Sequence, residues 1–332
     1  MNSRKSYKKL GIFSLIIFIV MICSYVSAAV ILRNSNIDII NLINNGHGIN
    51  FNFNGWGNFH SLNQYTFDDS EINNLTDSVK ENLDNIDVLS VDFVSPDLKI
   101  ENWDKNYVQV NLIGDSSKVK LSKSLTNKTL DVKTKFKKGL LSNFGNLNYK
   151  LEIYLPNNYN KKLTLNTQSS NISLSKNTFN TLNINSTSGD VKLSDISATN
   201  LSVKTVSSDV IADSINSVST NISSVSGEIK VNGKLKSFSG KSVSGDLSLM
   251  FKNDINSISC NTTSGEVTIN APKDFSPNLE ISTVSGSIEN DLKLKSSTSS
   301  EHKLNGSSLN NIDSKIEVRT VSGDVNLKYS AD

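Results

Sequence analysis

Six carboxylates recur in register through the second half of the chain. Asp190, Asp209, Glu228, Asp246, Glu266 and Asp324 each lie two residues after a serine, and Asn171 and Ser287 occupy the same column. Stacked like charges repel unless they are screened or bridged. The column is therefore a candidate cation site, with calcium as the hard, oxygen-seeking ion that would suit it. The competing reading is turn chemistry, because Gly-Asp after Ser is a turn pair and outward carboxylates deter edge pairing. Calcium repeats built on Gly-rich nonapeptides carry more ligands per turn than these segments, so turn chemistry is favoured. Glycoside hydrolysis by a carboxylate pair would need a cleft and aromatic subsites, and the repeats contain almost no aromatics.

A second charge cluster is basic. Lys118, Lys120, Lys123, Lys128, Lys133, Lys135, Lys137 and Lys138 crowd a short stretch in which Asp131 is the one acid. Lys133, Lys135 and Lys137 alternate, which places them on one strand face. The plain reading is a solvated hairpin that blunts a sheet edge. The sharper one is a point-charge surface for anionic wall polymer or lipid headgroups, carried by Lys118, Lys120, Lys133, Lys135, Lys137 and Lys138.

The remaining reactive side chains are few. Two cysteines, Cys23 and Cys260, make neither a disulfide framework nor a thiolate cluster. Cys260 falls in an apolar column and reads as a small buried thiol. His47, His60 and His302 are scattered and read as loop residues. No cofactor motif and no catalytic constellation stands out, and a formal charge of +2 gives no general pull toward nucleic acid.

These side chains are positioned by a repeat. Eight segments follow one template, apolar-x-apolar-x-[Ser/Thr]-x-Ser-[Gly/Ser]-x-apolar, around Ser169, Ser188, Ser207, Ser226, Ser244, Ser264, Ser285 and Ser322. Most gaps are 18 to 21 residues; the last is 37 and predicts a degenerate turn near Thr298–His302. Positions six and four before the serine are mostly apolar, and the position two before is Ser or Thr in every copy. Spacing by two keeps the three on one face, so copies should stack with inward hydroxyls at a narrow corner. Gly follows the serine in six of eight copies, where the chain bends. The period is too short for a helix-containing repeat. The fold class is all-β, a β-solenoid of about 19-residue coils, and nine coils at about 4.8 Å would make a rod of about 40 Å.

Upstream, residues 1–9 carry Arg4, Lys5, Lys8 and Lys9 without an acid, and Leu10–Leu32 runs 23 residues without a charge. As helix that run spans about 35 Å, enough for a hydrocarbon core of about 30 Å. The expectation is a transmembrane helix over 10–32 with a cytoplasmic N-terminus and an extracellular remainder. A cleaved signal ending near Val26-Ser-Ala28 is the alternative. Residues 33–87 read as an Asn-rich stalk, with a short amphipathic helix carried by Ile72, Leu75, Val79, Leu83 and Ile86. Residues 88–160 read as alternating strands that cap the repeats of 161–332. The last repeat ends close to Asp332, which predicts an open edge for a partner or second copy.

Leu151-Glu-Ile-Tyr-Leu-Pro156, Leu163-Thr-Leu-Asn-Thr and the Thr-Val-Ser-Gly-Asp series resemble the bacterial "putative adhesin" domain of unknown function over about residues 88–332. The resemblance implies a β-solenoid behind one membrane helix and an adhesive or scaffolding role at the cell envelope. Some relatives are linked to envelope-stress signalling. It implies no catalytic residues. The functional expectation is a non-enzymatic cell-surface protein that binds envelope polymer or a protein partner, without cofactor or nucleic acid. An accessory role in envelope-stress signalling is the alternative, and a polysaccharide-active β-helix enzyme a distant third.

Overall fold

Alternation of apolar and polar residues, broken by corners every few positions, produces short flat strands that can bury only one face each. The solution is to wind them. In the computed structural model the strands Lys162–Ser169, Ile172–Ser188, Val191–Ser207, Val210–Ser226 and Ile229–Ser244 pair in parallel, one coil on the next. The register joins equivalent positions, as in Leu163 to Leu182 to Leu201 and Ser169 to Ser188 to Ser207. The structure describes residues 66–68, 70, 72–138, 149–309 and 313–330. All lie in the second of two units, Asn52–Asp332. Among them there is no α-helix, and none long and apolar enough to cross a membrane. The basic tail, the 10–32 segment and most of the Asn-rich stretch lie outside the described residues.

The inward columns form the core. Leu163, Leu182, Leu201 and Ile316 are fully buried, as are Leu165, Ile184 and Val203. Each such side chain contributes about 1.5–3 kcal/mol on burial, so every coil adds a similar increment and needs its neighbours to realise it. One coil carries a compensated exchange. Gly240 stands where its neighbours in the column have Ile222 and Cys260, and the Phe238 ring and Leu247 methyl fill the space a Cβ would take.

Each coil has two sharp corners. At the first, the Cβ of an added side chain at Gly189 would lie 2.5 Å from the carbonyl oxygen of Ser170, one coil away. The backbone there has φ +95°, which only glycine adopts without strain. At the second corner Lys176, Asp195 and Ser214 take left-handed backbone, φ 57°, 53° and 55°, at 19-residue intervals. Polar side chains tolerate that conformation better than branched ones.

The entering region differs from expectation. Residues 72–86 are not a helix: they form a 3-10 turn at Ile72–Asn74, the strands Leu75–Thr76 and Ser78–Asn82, and a second 3-10 turn at Leu83–Asn85. Ser78–Asn82 pairs antiparallel with Tyr107–Ile113, at the edge of a four-stranded sheet completed by Lys150–Pro156 and Asp97–Trp103. A run this short makes a marginal helix, and a partner strand supplies backbone bonds that the isolated segment lacks. Val88–Phe93 is itself a layer of the stack, with Leu89 against Leu163 and, on its other side, Leu130. Thr129–Lys137 and Val119–Thr126 then form an antiparallel hairpin that closes this end.

The far end overturns two expectations. Thr298–His302 is not a degenerate coil but the tip of an antiparallel hairpin, Ser296–Ser300 against Lys303–Ser307. The last repeat is not an open edge. Lys315–Ser322 inserts between Ser257–Ser264 and Asn278–Ser282, parallel to both. The end beyond Asn278–Ser282 is covered by Lys303–Ser307, antiparallel to it. An antiparallel cap interrupts parallel growth of the stack, and so guards an otherwise adhesive edge.

Candidate binding surfaces

The acidic column lies along the glycine corner, with its members mostly exposed. Its side chains bond to the next coil. Asn171 Oδ1 accepts from the Asp190 N–H at 2.9 Å, Asp209 from Glu228 at 2.8 Å and Asp246 from Glu266 at 2.8 Å. Asp324 accepts from both the N–H and the hydroxyl of Ser287, and these bonds hold its carboxyl below the usual range. A side-chain oxygen thus satisfies a backbone donor on the next coil, 19 to 37 residues away, so these bonds tie coil to coil rather than closing a local turn. Among the described residues no three His, Cys, Asp or Glu side chains are grouped to hold a metal.

The inward Ser/Thr column behaves unevenly. Thr167 donates to Val94 O, Ser186 to Ser188 O and Thr283 to Gly323 O. The buried hydroxyls of Thr205, Ser224, Ser242 and Thr320 have no hydrogen-bond partner among the described residues. Cys260 sits in the same interior; burial pushes its thiol well above the ordinary value, which removes the reactive thiolate. His302 is at the hairpin tip, its Nδ1 3.4 Å from Gly286 O.

The structure places the six candidate lysines on and beside the 119–137 hairpin, but brings carboxylates to several of them from elsewhere. Lys133 pairs with Asp92 at 3.1 Å, Lys138 with Asp68 at 3.0 Å and Lys118 with Asp115 at 2.9 Å. Asp68 and Asp115 are each held at about 2, first by the hydroxyls of Ser70 and Ser117 and then by these lysines. Lys123 and Lys128 likewise meet Glu81 and Asp87. Lys120 and Lys135 face one another across the hairpin, and Lys137 also has a partner. Asp115 lies three residues before Lys118, but sequence spacing could not reveal the others, since Glu81 and Lys123, for one, are 42 residues apart.

A groove on another face was not read from the sequence. Beyond the second corner, Phe179, Ala198, Ser217 and Leu235 stack in one column. The small side chains of Ala198 and Ser217 beside Phe179 line a hollow of about 410 Å³ across four coils. Its polar lining includes Ser217, Asn216, Asn253, Lys234 and Lys236 and, among the described residues, no carboxylate. Both lysines are exposed and alternate on one strand, and neighbouring Val218 is 48% exposed. Asn253 closes one end: its amide accepts from Leu235 N–H at 2.9 Å and donates to Leu235 O at 3.1 Å, doing the work of a strand. Small residues at 19-residue spacing were the available signal.

An aromatic cluster stands on the outer face of the four-stranded sheet. Trp103 stacks on Tyr154 with centroids 4.9 Å apart and meets Tyr107 edge-on at 4.8 Å. Lys80 lies 3.6 Å from the Tyr107 ring centre and Lys105 4.8 Å from that of Trp103. Burial raises the Tyr107 phenol, but the ammonium groups of Lys105 and Lys80 outweigh it and hold the phenol below its ordinary value. The ring faces are thus already occupied by the chain's own cations.

The sequence of residues 86–328, which includes every coil just described, matches Toastrack DUF4097. The chain belongs to the Toastrack DUF4097 family. Its stack is similar to the crystal structure of a "putative adhesin" from Bacteroides fragilis, at 14% identity over 76% of this chain and 96% of that one, TM-score 0.43. It is also similar to a "putative lipid binding protein" from Parabacteroides distasonis, at 18% identity, 76% and 96% coverage and TM-score 0.44. A "putative cell adhesion protein" from Clostridium sporogenes aligns at 13% identity, 76% and 99% coverage and TM-score 0.23. No curated protein matches the chain.

Proposed function

We propose that this Toastrack DUF4097 chain is a non-enzymatic, membrane-anchored β-solenoid of the cell envelope, and that it binds anionic envelope polymer along the groove beside Lys234 and Lys236. The observation that carries the reading is a groove crossing four coils with two exposed ammonium groups and, among the described residues, no carboxylate in its lining. Hydroxyls and amides alongside suit a hydroxyl-rich polymer, and exposed Val218 suits its apolar face. The repeat supports it too, because equivalent positions return with each coil at about 4.8 Å. The apolar 10–32 segment and the cations before it would hold this surface outside the membrane.

The test is binding of the purified protein to isolated bacterial cell walls and to anionic liposomes across a salt series. Binding to walls that fades with salt, and that drops about 2- to 30-fold in a Lys234→Gln, Lys236→Gln variant, is expected for two point-charge contacts of about 0.2–1 kcal/mol each. Retention of full wall binding by the double variant would refute the groove. Wall binding that salt leaves unchanged would refute the anionic polymer.

A further inference from the structure

The layer order of the stack does not follow the chain. After Ser257–Ser264 and Val267–Ala271, the chain skips one layer and builds Asn278–Ser282 and Ile288–Asn290 beyond it. It then makes the capping hairpin and returns, so that Lys315–Ser322 and Val325–Tyr329 occupy the skipped layer. Residues 315–329 are therefore sandwiched between strands made earlier. On one side Ile316 meets Ile258 and Val318 meets Cys260; on the other they meet Leu279 and Ile281.

The segment is held as an inserted strand is held. Backbone bonds run to both neighbours: Lys315 N–H to Asn256 O, Val267 N–H to Asp324 O, Val325 N–H to Ser287 O and Asp291 N–H to Leu327 O, at 2.9–3.0 Å. Glu280 pairs with Lys315 at 2.7 Å and Arg319 at 3.2 Å, which fixes register on the cap side. Tyr329 accepts from Lys293 N–H at 2.9 Å. Removed from this layer, the segment would leave two parallel edges about 9–10 Å apart, unpaired and lined with apolar columns.

We propose that this layer is a strand-acceptor site, with residues 315–329 as its occupant in the single chain and the same segment of a second copy as its occupant in an exchanged dimer. The fit in trans is that in cis, since the bonds, the Glu280 pairs and the apolar columns are the same. Two features favour exchange here over any other coil. The segment is contiguous, and its departure leaves the sequential stack through Ala271 intact.

The inserted strand provides its own probe, because Val318 lies directly opposite Cys260. In the full chain carrying Cys23→Ser and Val318→Cys, a disulfide within one chain reports cis insertion, and one between chains reports exchange. The protein is unfolded, refolded at 10 to 300 µM under mild oxidation and separated without reductant. If cis insertion has an effective concentration of about 1 mM, the interchain fraction rises from about 1% to about 20% over that range. Native mass measurement of the unmodified protein, refolded in the same way, should show dimer rising in parallel. A purely monomeric mass at every concentration overturns the proposal, whatever disulfides form. An interchain disulfide fraction that stays flat from 10 to 300 µM also overturns it.

Discussion

Gly227→Ala should be among the most damaging single-atom additions to this protein. Gly227 has φ +139°, and an ideal Cβ there would lie 2.2 Å from the carbonyl oxygen and 2.6 Å from the carbonyl carbon of Ser208. The backbone term alone is about 1–3 kcal/mol. The contact must be relieved by parting two coils, which stretches a backbone ladder on both sides of the corner; overpacking of this kind costs a further 1–3 kcal/mol or so. The total of about 2–6 kcal/mol can be read by urea unfolding. With a slope of about 3 kcal/mol/M, the midpoint should fall by roughly 0.7–2 M. Ser226→Ala is the neighbouring control, since Ser226 is exposed and should shift stability by less than about 0.5 kcal/mol. A Gly227→Ala protein within about 0.5 kcal/mol of the parent would show that the coils part freely, and the close-approach argument would fail.

Thr205→Val, which replaces an unpartnered buried hydroxyl with a methyl, should be neutral or stabilising by about 1 kcal/mol. Thr283→Val, which loses the bond to Gly323 O, should cost about 1 kcal/mol, and thermal melts of the pair compare them directly. Asp246→Ala removes the acceptor for Glu266 N–H and should cost about 0.5–1.5 kcal/mol, whereas Asp246→Asn keeps an oxygen in place. Calcium should leave the melting temperature of the parent unchanged; a calcium-dependent rise absent from Asp246→Asn would restore the cation reading. Asp68 and Asp115 are depressed to about 2 from 3.8, so their contribution is complete above about pH 4 and is lost as pH falls through about 2. Both are exposed, and an acid titration followed by circular dichroism should show a shallow loss that high salt reduces further.

The eight-fold serine register of this chain of 332 residues already contained the stack, because a period of about 19 with alternation by two admits few structures other than parallel coils with equivalent residues in contact. Gly189 and Gly227 were legible as corners. Their close approach to the coil below was not, since it depends on a carbonyl 19 residues away. Residues 72–86 misled because five apolar positions at near-helical spacing also suit short turns and a five-residue edge strand, and only the partner strand decides between them. The lysine hairpin was visible while most of its counter-charges were not: Asp68, Glu81, Asp87 and Asp92 arrive from outside the hairpin. The groove depends on Ala198 and Ser217 stacking below Phe179, a volume effect that appears only once the coils are aligned. Local period determined what each coil looks like. Tertiary structure decided the order of the coils, because Ile316 and Val318 match every layer of the stack equally well by type, and the hairpin cap and Glu280 select the layer they fill.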